Sequence, residues 1–179
     1  MKQIYLLRHE EVVKKYRNRY YGHLDVNLST RGKVRALRTA KRLNLIKFDA
    51  IYCSDLSRAT FILDELKQKK ETLITKDLRE MCWGKHEGLA HKHLENMGFK
   101  YENFEQWLSQ FDGESLDEFQ SRVLKYYAQI VDSKRKKVLL ITHSGVIRAI
   151  LAYINGTTIE QEFLKPLKYG TLTKIRFRS

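Results

Sequence analysis

The stretch Val138-Leu-Leu-Ile-Thr142 constrains the fold more than any other: a short apolar run that stops on His143-Ser144-Gly145 and resumes as the helical pattern Val146–Leu151. Such a run reads as a buried strand handing polar residues to the start of a helix, with Ser144 at that start. Gln3–Leu7 has the same form and ends on Arg8-His9-Glu10-Glu11, while Asp49–Cys53 ends on Ser54-Asp55. Further strands are predicted at Thr72–Thr75 and Leu172–Phe177. Helical patterns lie between them. Ser29 or Thr30 caps one whose apolar positions are Val34, Leu37, Ala40 and Leu43, and Ser54-Asp55 caps another that runs to about Leu66 through Ala59, Ile62 and Leu63. Ser115 and Glu118 have the spacing of a capping box, opening a helix with Phe119, Val123, Tyr126, Tyr127 and Ile130 on one side. Across residues 78–113 the periodicity blurs, with short helices near His91–Met97 and Phe104–Phe111. Strands alternating with helices specify an α/β fold: a three-layer α/β/α sandwich with a mostly parallel sheet and a short helical insertion over the strand C-terminal ends. Such sheets bind ligands beyond those ends.

The 179 residues fit a single domain spanning 1–179. Hydrophobic residues make up 42% and charged residues 31%, enough apolar side chain for a core, and Gly 9 with Pro 1 excludes collagen-like and low-complexity chains. No apolar stretch approaches the roughly 20 residues of a membrane-spanning helix. Met1–Leu7 runs straight into polar residues instead of a signal-peptide apolar region, so a soluble, cytoplasmic protein is expected, with no membrane partner. Lysine and arginine number 34 against 21 acids, a net charge of +13. That excess suits an anionic partner, although a basic background composition accounts for it equally well. The runs Lys67-Gln-Lys-Lys70 and Lys134-Arg-Lys-Lys137 fall at predicted loop ends and lack the interleaved aromatics and glycines of single-strand binders. Nucleic acid is therefore disfavoured as that anionic partner. Cys53 and Cys82 are too few for a disulfide framework or a thiolate zinc site.

The chemistry collects at the strand ends. Arg8 and His9 follow one strand and His143 another, and a parallel sheet can set those ends side by side. Arg58, in the first turn of the helix after the second strand, supplies another guanidinium, unless it forms only a surface ion pair. Two planar guanidinium forks and two imidazoles suit a tetrahedral dianion, to which helix N-termini add amide donors.

Leu7-Arg8-His9 resembles the Arg-His-Gly motif of the histidine phosphatase superfamily, the phosphoglycerate-mutase-like proteins. Five more segments follow in the family's order. They are Tyr21-Gly-His-Leu-Asp25 with Leu28–Gly32, Ser54-Asp-Leu-Ser-Arg-Ala59, Leu78-Arg-Glu80 with Gly84, Glu87 and Gly88, Gly113-Glu-Ser115, and Thr142-His-Ser-Gly-Val-Ile-Arg148. The resemblance implies that His9 is the nucleophile that forms a phosphohistidine. It implies that Arg8, Arg58 and His143 hold the phosphoryl oxygens, and that Glu80, at the crevice mouth, is the acid and base. It further implies a small phosphorylated substrate and that no metal or cofactor is needed. An imidazole attacks only from an unprotonated nitrogen, and its other nitrogen needs an acceptor, such as a backbone carbonyl, to fix the tautomer. Without the motif, Glu80 would read as a partner for Arg79 or as a helix cap.

Two departures stand out. Glu10 replaces the family's usual glycine, with its side chain expected to point away from the phosphate, and Lys15 falls where asparagine is frequent and is expected to contact phosphate. Ser144 replaces a frequent glycine, keeping an amide for the substrate and a hydroxyl to cap the helix. Asn18, Arg19, Tyr20, Tyr21, Gly22 and His23 lie on the loop expected to meet the rest of the substrate, where Tyr21 and His23 can stack on a ring. His86, His91 and His93 are expected to be solvated rather than metal ligands. Trp83 and Trp107 are expected to anchor the insertion. Tyr21-Gly-His-Leu-Asp-Val26 is similar to the α-ribazole-5′-phosphate phosphatase branch. The compact insertion favours hydrolysis, and the alternatives are mutase-type phosphoryl transfer and a non-catalytic phospho-ligand module.

Overall fold

A computed structural model describes residues 1–68 and 71–177, so Lys69 and Lys70 of the first basic run, and positions 178–179 of the predicted domain, lie outside the described residues. Five strands, β1 (Lys2–Arg8), β2 (Ala50–Ser54), β3 (Thr72–Thr75), β4 (Lys137–Thr142) and β5 (Leu172–Phe177), form one sheet in the order β3-β2-β4-β1-β5. β4 pairs parallel with both β1 and β2, and β2 pairs parallel with β3; β5 closes the edge antiparallel to β1. The helices are α1 (Thr30–Leu43), α2 (Ser57–Asp64), α3 (His91–Asn96), α4 (Phe104–Ser109), α5 (Leu116–Asp132), α6 (Ser144–Asn155) and α7 (Ile159–Phe163).

The period-2 alternation of the central strands divides the core. Ile4, Leu6, Val138 and Leu140 join the cluster under α5 and α6, while Tyr5, Leu7, Leu139 and Ile141 join the one under α1 and α2. A central parallel strand is covered on both faces, and each fully buried Ile or Leu contributes about 1.5–3 kcal/mol. This is the expected three-layer α/β/α arrangement.

Local details differ from the sequence pattern. On α1 the buried positions are Gly32, Ala36, Thr39, Ala40 and Leu43, while Val34 and Leu37 are exposed, because small residues let the helix sit close to the sheet. Ser29, not Thr30, is its cap, accepting from the Gly32 amide. The expected Ser54-Asp55 cap for α2 does not form: the N-cap is Leu56, the helix ends at Asp64, and Ser54 completes β2. Helix α7 escaped the pattern, although Thr158 and Gln161 form a complete capping box. No helix among the described residues is long and apolar enough to cross a membrane.

Candidate active site

Strand register builds the site. Arg8 on β1 stands opposite Thr142 on β4, so the next residues, His9 and His143, emerge side by side. Their ring centroids are 5.1 Å apart, and both residues are buried. His9 Nδ1 lies 2.7 Å from the backbone carbonyl of Glu10, which makes Nδ1 the protonated nitrogen and leaves the Nε2 lone pair for chemistry. Burial, then the charges of Arg58 and Arg8, hold His9 well below the ordinary histidine pKa, so the ring is neutral.

Arg58 is almost wholly buried at the start of α2. Its Nε donates to His143 Nδ1 at 3.2 Å, Nη1 to the Leu24 carbonyl at 2.9 Å and Nη2 to the Gly22 carbonyl at 2.6 Å. Three of its five N–H groups are therefore spent on fixing its plane, and two remain. His143 Nε2 is 2.8 Å from Ser54 Oγ. Both imidazole nitrogens of His143, which the resemblance implies hold phosphoryl oxygens, are here in contact with Arg58 and Ser54. Burial, then Arg58, hold His143 well below the ordinary histidine pKa.

Arg8 stacks 4.1 Å from the centre of the Tyr169 ring, donates through Nη1 to the Leu167 carbonyl, and keeps a buried Nε with no hydrogen-bond partner among the described residues. A buried unpaired guanidinium N–H is costly until an acceptor arrives. Glu80 closes the opposite side. Its Oε2 accepts from the Gly145 amide in the first turn of α6 at 2.9 Å and its Oε1 from its neighbour's amide, Met81, at 3.1 Å. It is not the partner of Arg79, which forms a two-pronged pair with Asp55 at 2.6 Å on both prongs.

Arg8, His9, Arg58 and Glu80 line one end of a cavity of about 510 Å³, and Asn18, Arg19, Tyr20 and Tyr21 of the first loop border it as expected. The Tyr21 hydroxyl lies 3.0 Å from that of Tyr169, and its ring flanks Arg58. The other candidate binding residues sit elsewhere. Lys15 is exposed outside the cavity, in a short 3-10 turn, with its ammonium over Tyr16. His23 is not among the residues that line the cavity; Glu87 accepts its backbone amide at 2.7 Å along with that of Leu24. Gly22 acts through its backbone: a Cβ there would stand 1.6 Å from the Met81 carbonyl oxygen, while its own carbonyl holds Arg58. Ser144 is the first residue of α6 and does not cap it; its Oγ accepts from Arg148 Nε at 3.3 Å. Glu10 is buried and directed at Gly170, where a Cβ would meet its Oε1 at 2.0 Å, so its carboxylate does not line the cavity.

Residues 4–179 match the family model of the histidine phosphatase superfamily, branch 1. The chain belongs to that superfamily. Among its relatives, the adenosylcobalamin/alpha-ribazole phosphatase of Escherichia coli is 28% identical, the match covering 88% of this chain and 81% of that protein. A 2,3-bisphosphoglycerate-dependent phosphoglycerate mutase of Brucella canis is 31% identical over 92% of this chain and 87% of its own. Among solved structures, YhfR of Bacillus stearothermophilus superposes with a TM-score of 0.86 at 26% identity, covering 99% of this chain and 92% of that one.

This histidine phosphatase superfamily member also carries site residues that the sequence pattern did not single out. Tyr169 precedes β5 in a segment without periodicity, and Ser54 reads as a helix cap until β4 brings His143 beside it. Trp83 and Trp107 pack within the insertion as expected and also line the cavity. Of the three remaining histidines, His91 and His93 are exposed, but His86 is buried against Phe99 and Phe111 with Nδ1 3.1 Å from Asp112, because the insertion folds over it.

Proposed function

We propose that this chain is a phosphomonoesterase working through a phosphohistidine on His9, without a metal or cofactor. The observation that carries the reading is the tautomer of His9: Nδ1 is committed to the Glu10 carbonyl, and the neutral ring leaves Nε2 free beside the guanidinium groups of buried Arg58 and half-buried Arg8. The substrate phosphoryl group sits against Arg8, whose unpaired Nε it satisfies, and the two free N–H groups of Arg58. Nε2 attacks phosphorus as the bond to the ester oxygen breaks, and Glu80 in its acid form gives that oxygen its proton. The alcohol leaves. Glu80, now a carboxylate, takes a proton from water as the water oxygen attacks phosphorus and the N–P bond breaks, releasing phosphate and restoring both residues. The guanidinium groups stand in place before charge spreads over the phosphoryl oxygens, so little reorganisation is required.

Hydrolysis is preferred to transfer onto a second hydroxyl because a mutase must hold its bisphosphate intermediate under a closing cover. Here the insertion supplies two α-helices of six residues each and one 3-10 turn. Glu10, turned toward Gly170, leaves the phosphate end unobstructed, which favours an enzyme over a binding module. The first natural ester to assay is α-ribazole 5′-phosphate, suggested by the Tyr21–Val26 segment and by the Escherichia coli relative. Quenching the enzyme during turnover of 4-nitrophenyl phosphate, with a chelator present, traps an acid-labile, base-stable phosphoprotein in the wild type and none in His9→Ala. Turnover by His9→Ala, or dependence on the chelated metal, overturns the mechanism.

A further inference from the structure

Resting on the phosphomonoesterase reading, we infer that the site selects esters whose alcohol ends in an aromatic ring, or an equally bulky apolar group, and carries no second anion. Away from the phosphate end, the cavity wall is Tyr20, Trp83, Tyr101, Phe104, Trp107 and Phe163. These six rings come from three separate parts of the chain: the first loop, the insertion and α7. They brace one another across those parts, with Tyr20 and Trp83 5.0 Å apart at 72° and Phe104 and Phe163 5.4 Å apart. The wall is therefore preformed, and an entering ring meets edges and faces at distances suited to aromatic contact.

Size and charge agree. The volume of about 510 Å³ falls within the roughly 300–1,000 Å³ of pockets that enclose drug-sized ligands, far more than a phosphoryl group on a three-carbon chain fills. Among the described residues, the only lysine or arginine side chains lining the cavity are Arg8, Arg19 and Arg58. Arg8 and Arg58 belong to the phosphate end, and Arg19 donates from Nη1 to the Gly88 carbonyl at 2.8 Å. A carboxylate placed against these rings would lose its water there, an energetic penalty that an apolar group avoids.

Titration calorimetry with three non-hydrolysable phosphonates tests this on the intact chain: 3-phenylpropylphosphonate, propylphosphonate and 3-phosphonopropionate. The phenyl compound is expected to bind about 30-fold or more tighter than the propyl compound, the worth of burying one ring. The carboxylate compound is expected to bind no tighter than propyl. Tyr101→Ala and Phe163→Ala, at side chains 59% and 43% exposed that the fold can lose, each reduce the phenyl-to-propyl ratio about threefold or more. Equal affinities, tighter binding of the carboxylate, unaltered ratios in both variants, or no binding of any phosphonate overturns the inference. Hydrolysis of 4-nitrophenyl phosphate, measured alongside, separates the two claims. Ring preference without turnover defeats the esterase reading alone, and turnover without ring preference defeats this one alone.

Discussion

Gly145→Ala moves the proposed general acid without deleting it. Gly145 lies in the first turn of α6, outside the positive-φ region, so alanine is compatible with its backbone. The added Cβ would stand 2.1 Å from Glu80 Oε1 and 3.2 Å from both Glu80 Cδ and the Phe119 ring. The ring is fixed in the core, whereas the carboxylate is the end of a flexible side chain, so Glu80 swings out and loses its 2.9 Å bond from the Gly145 amide. Losing a charge-assisted hydrogen bond costs about 1.5–3 kcal/mol. Alanine in place of glycine in a helix returns up to about 1 kcal/mol. The balance is a destabilisation of about 0.5–3 kcal/mol, which lowers Tm by roughly 1–12 °C for a chain of this size, so the variant stays folded. Its kcat/KM toward an alkyl phosphate should fall about 100-fold or more, the usual worth of a placed proton donor. With 4-nitrophenyl phosphate, whose leaving oxygen departs without a proton, the loss should stay below about tenfold. Steady-state kinetics on the two esters, with Glu80→Gln as the comparison, reads the difference. A folded Gly145→Ala that loses equally on both esters, or on neither, refutes the assignment of Glu80.

His9 and His143 are both held below the ordinary histidine value of 6.5, whereas the unfolded chain takes up protons near it. Their contribution to stability is whole above about pH 6.5 and is lost as pH falls, by about 1.4 kcal/mol per pH unit for each. Urea midpoints at pH 7.0 and 5.5 should show this dependence, and His9→Phe should remove its own half; a flat profile contradicts the burial argument. Gly22→Ala, whose Cβ would stand 1.6 Å from the Met81 carbonyl oxygen, should destabilise by about 3 kcal/mol or more and dislodge Arg58, as read by thermal unfolding and kcat/KM. Lys15→Ala should leave kcat/KM within about twofold, since its ammonium lies outside the cavity, and a tenfold loss would place it in the site after all.

Much of the site was legible because its chemistry sits at points where local pattern changes. The apolar runs ending on Arg8-His9 and on His143 announce buried strands with polar tips, and both strands lie where the pattern put them. The fixing of His9 by a carbonyl followed from what an imidazole nucleophile needs, and the Glu10 carbonyl supplies it. Where the reading missed, the deciding contact was remote in sequence. His23 reads as a cavity residue, yet it lies outside the lining with its amide held by Glu87, and Ser54 reads as a cap until β4 sets His143 beside it. Val34 and Leu37 satisfy an apolar repeat, yet the helix turns its small residues to the sheet.

What the sequence by itself determined is therefore the alternation of strands and helices and the identity of the groups at the strand ends, since short-range patterning and residue chemistry act within a few positions. The tertiary structure alone decided the strand order that makes β1 and β4 neighbours, the spending of both His143 nitrogens on protein partners, and the wall of rings drawn from three distant segments. Those features depend on which surfaces exclude water together, and burial of that kind is a property of the whole packed chain.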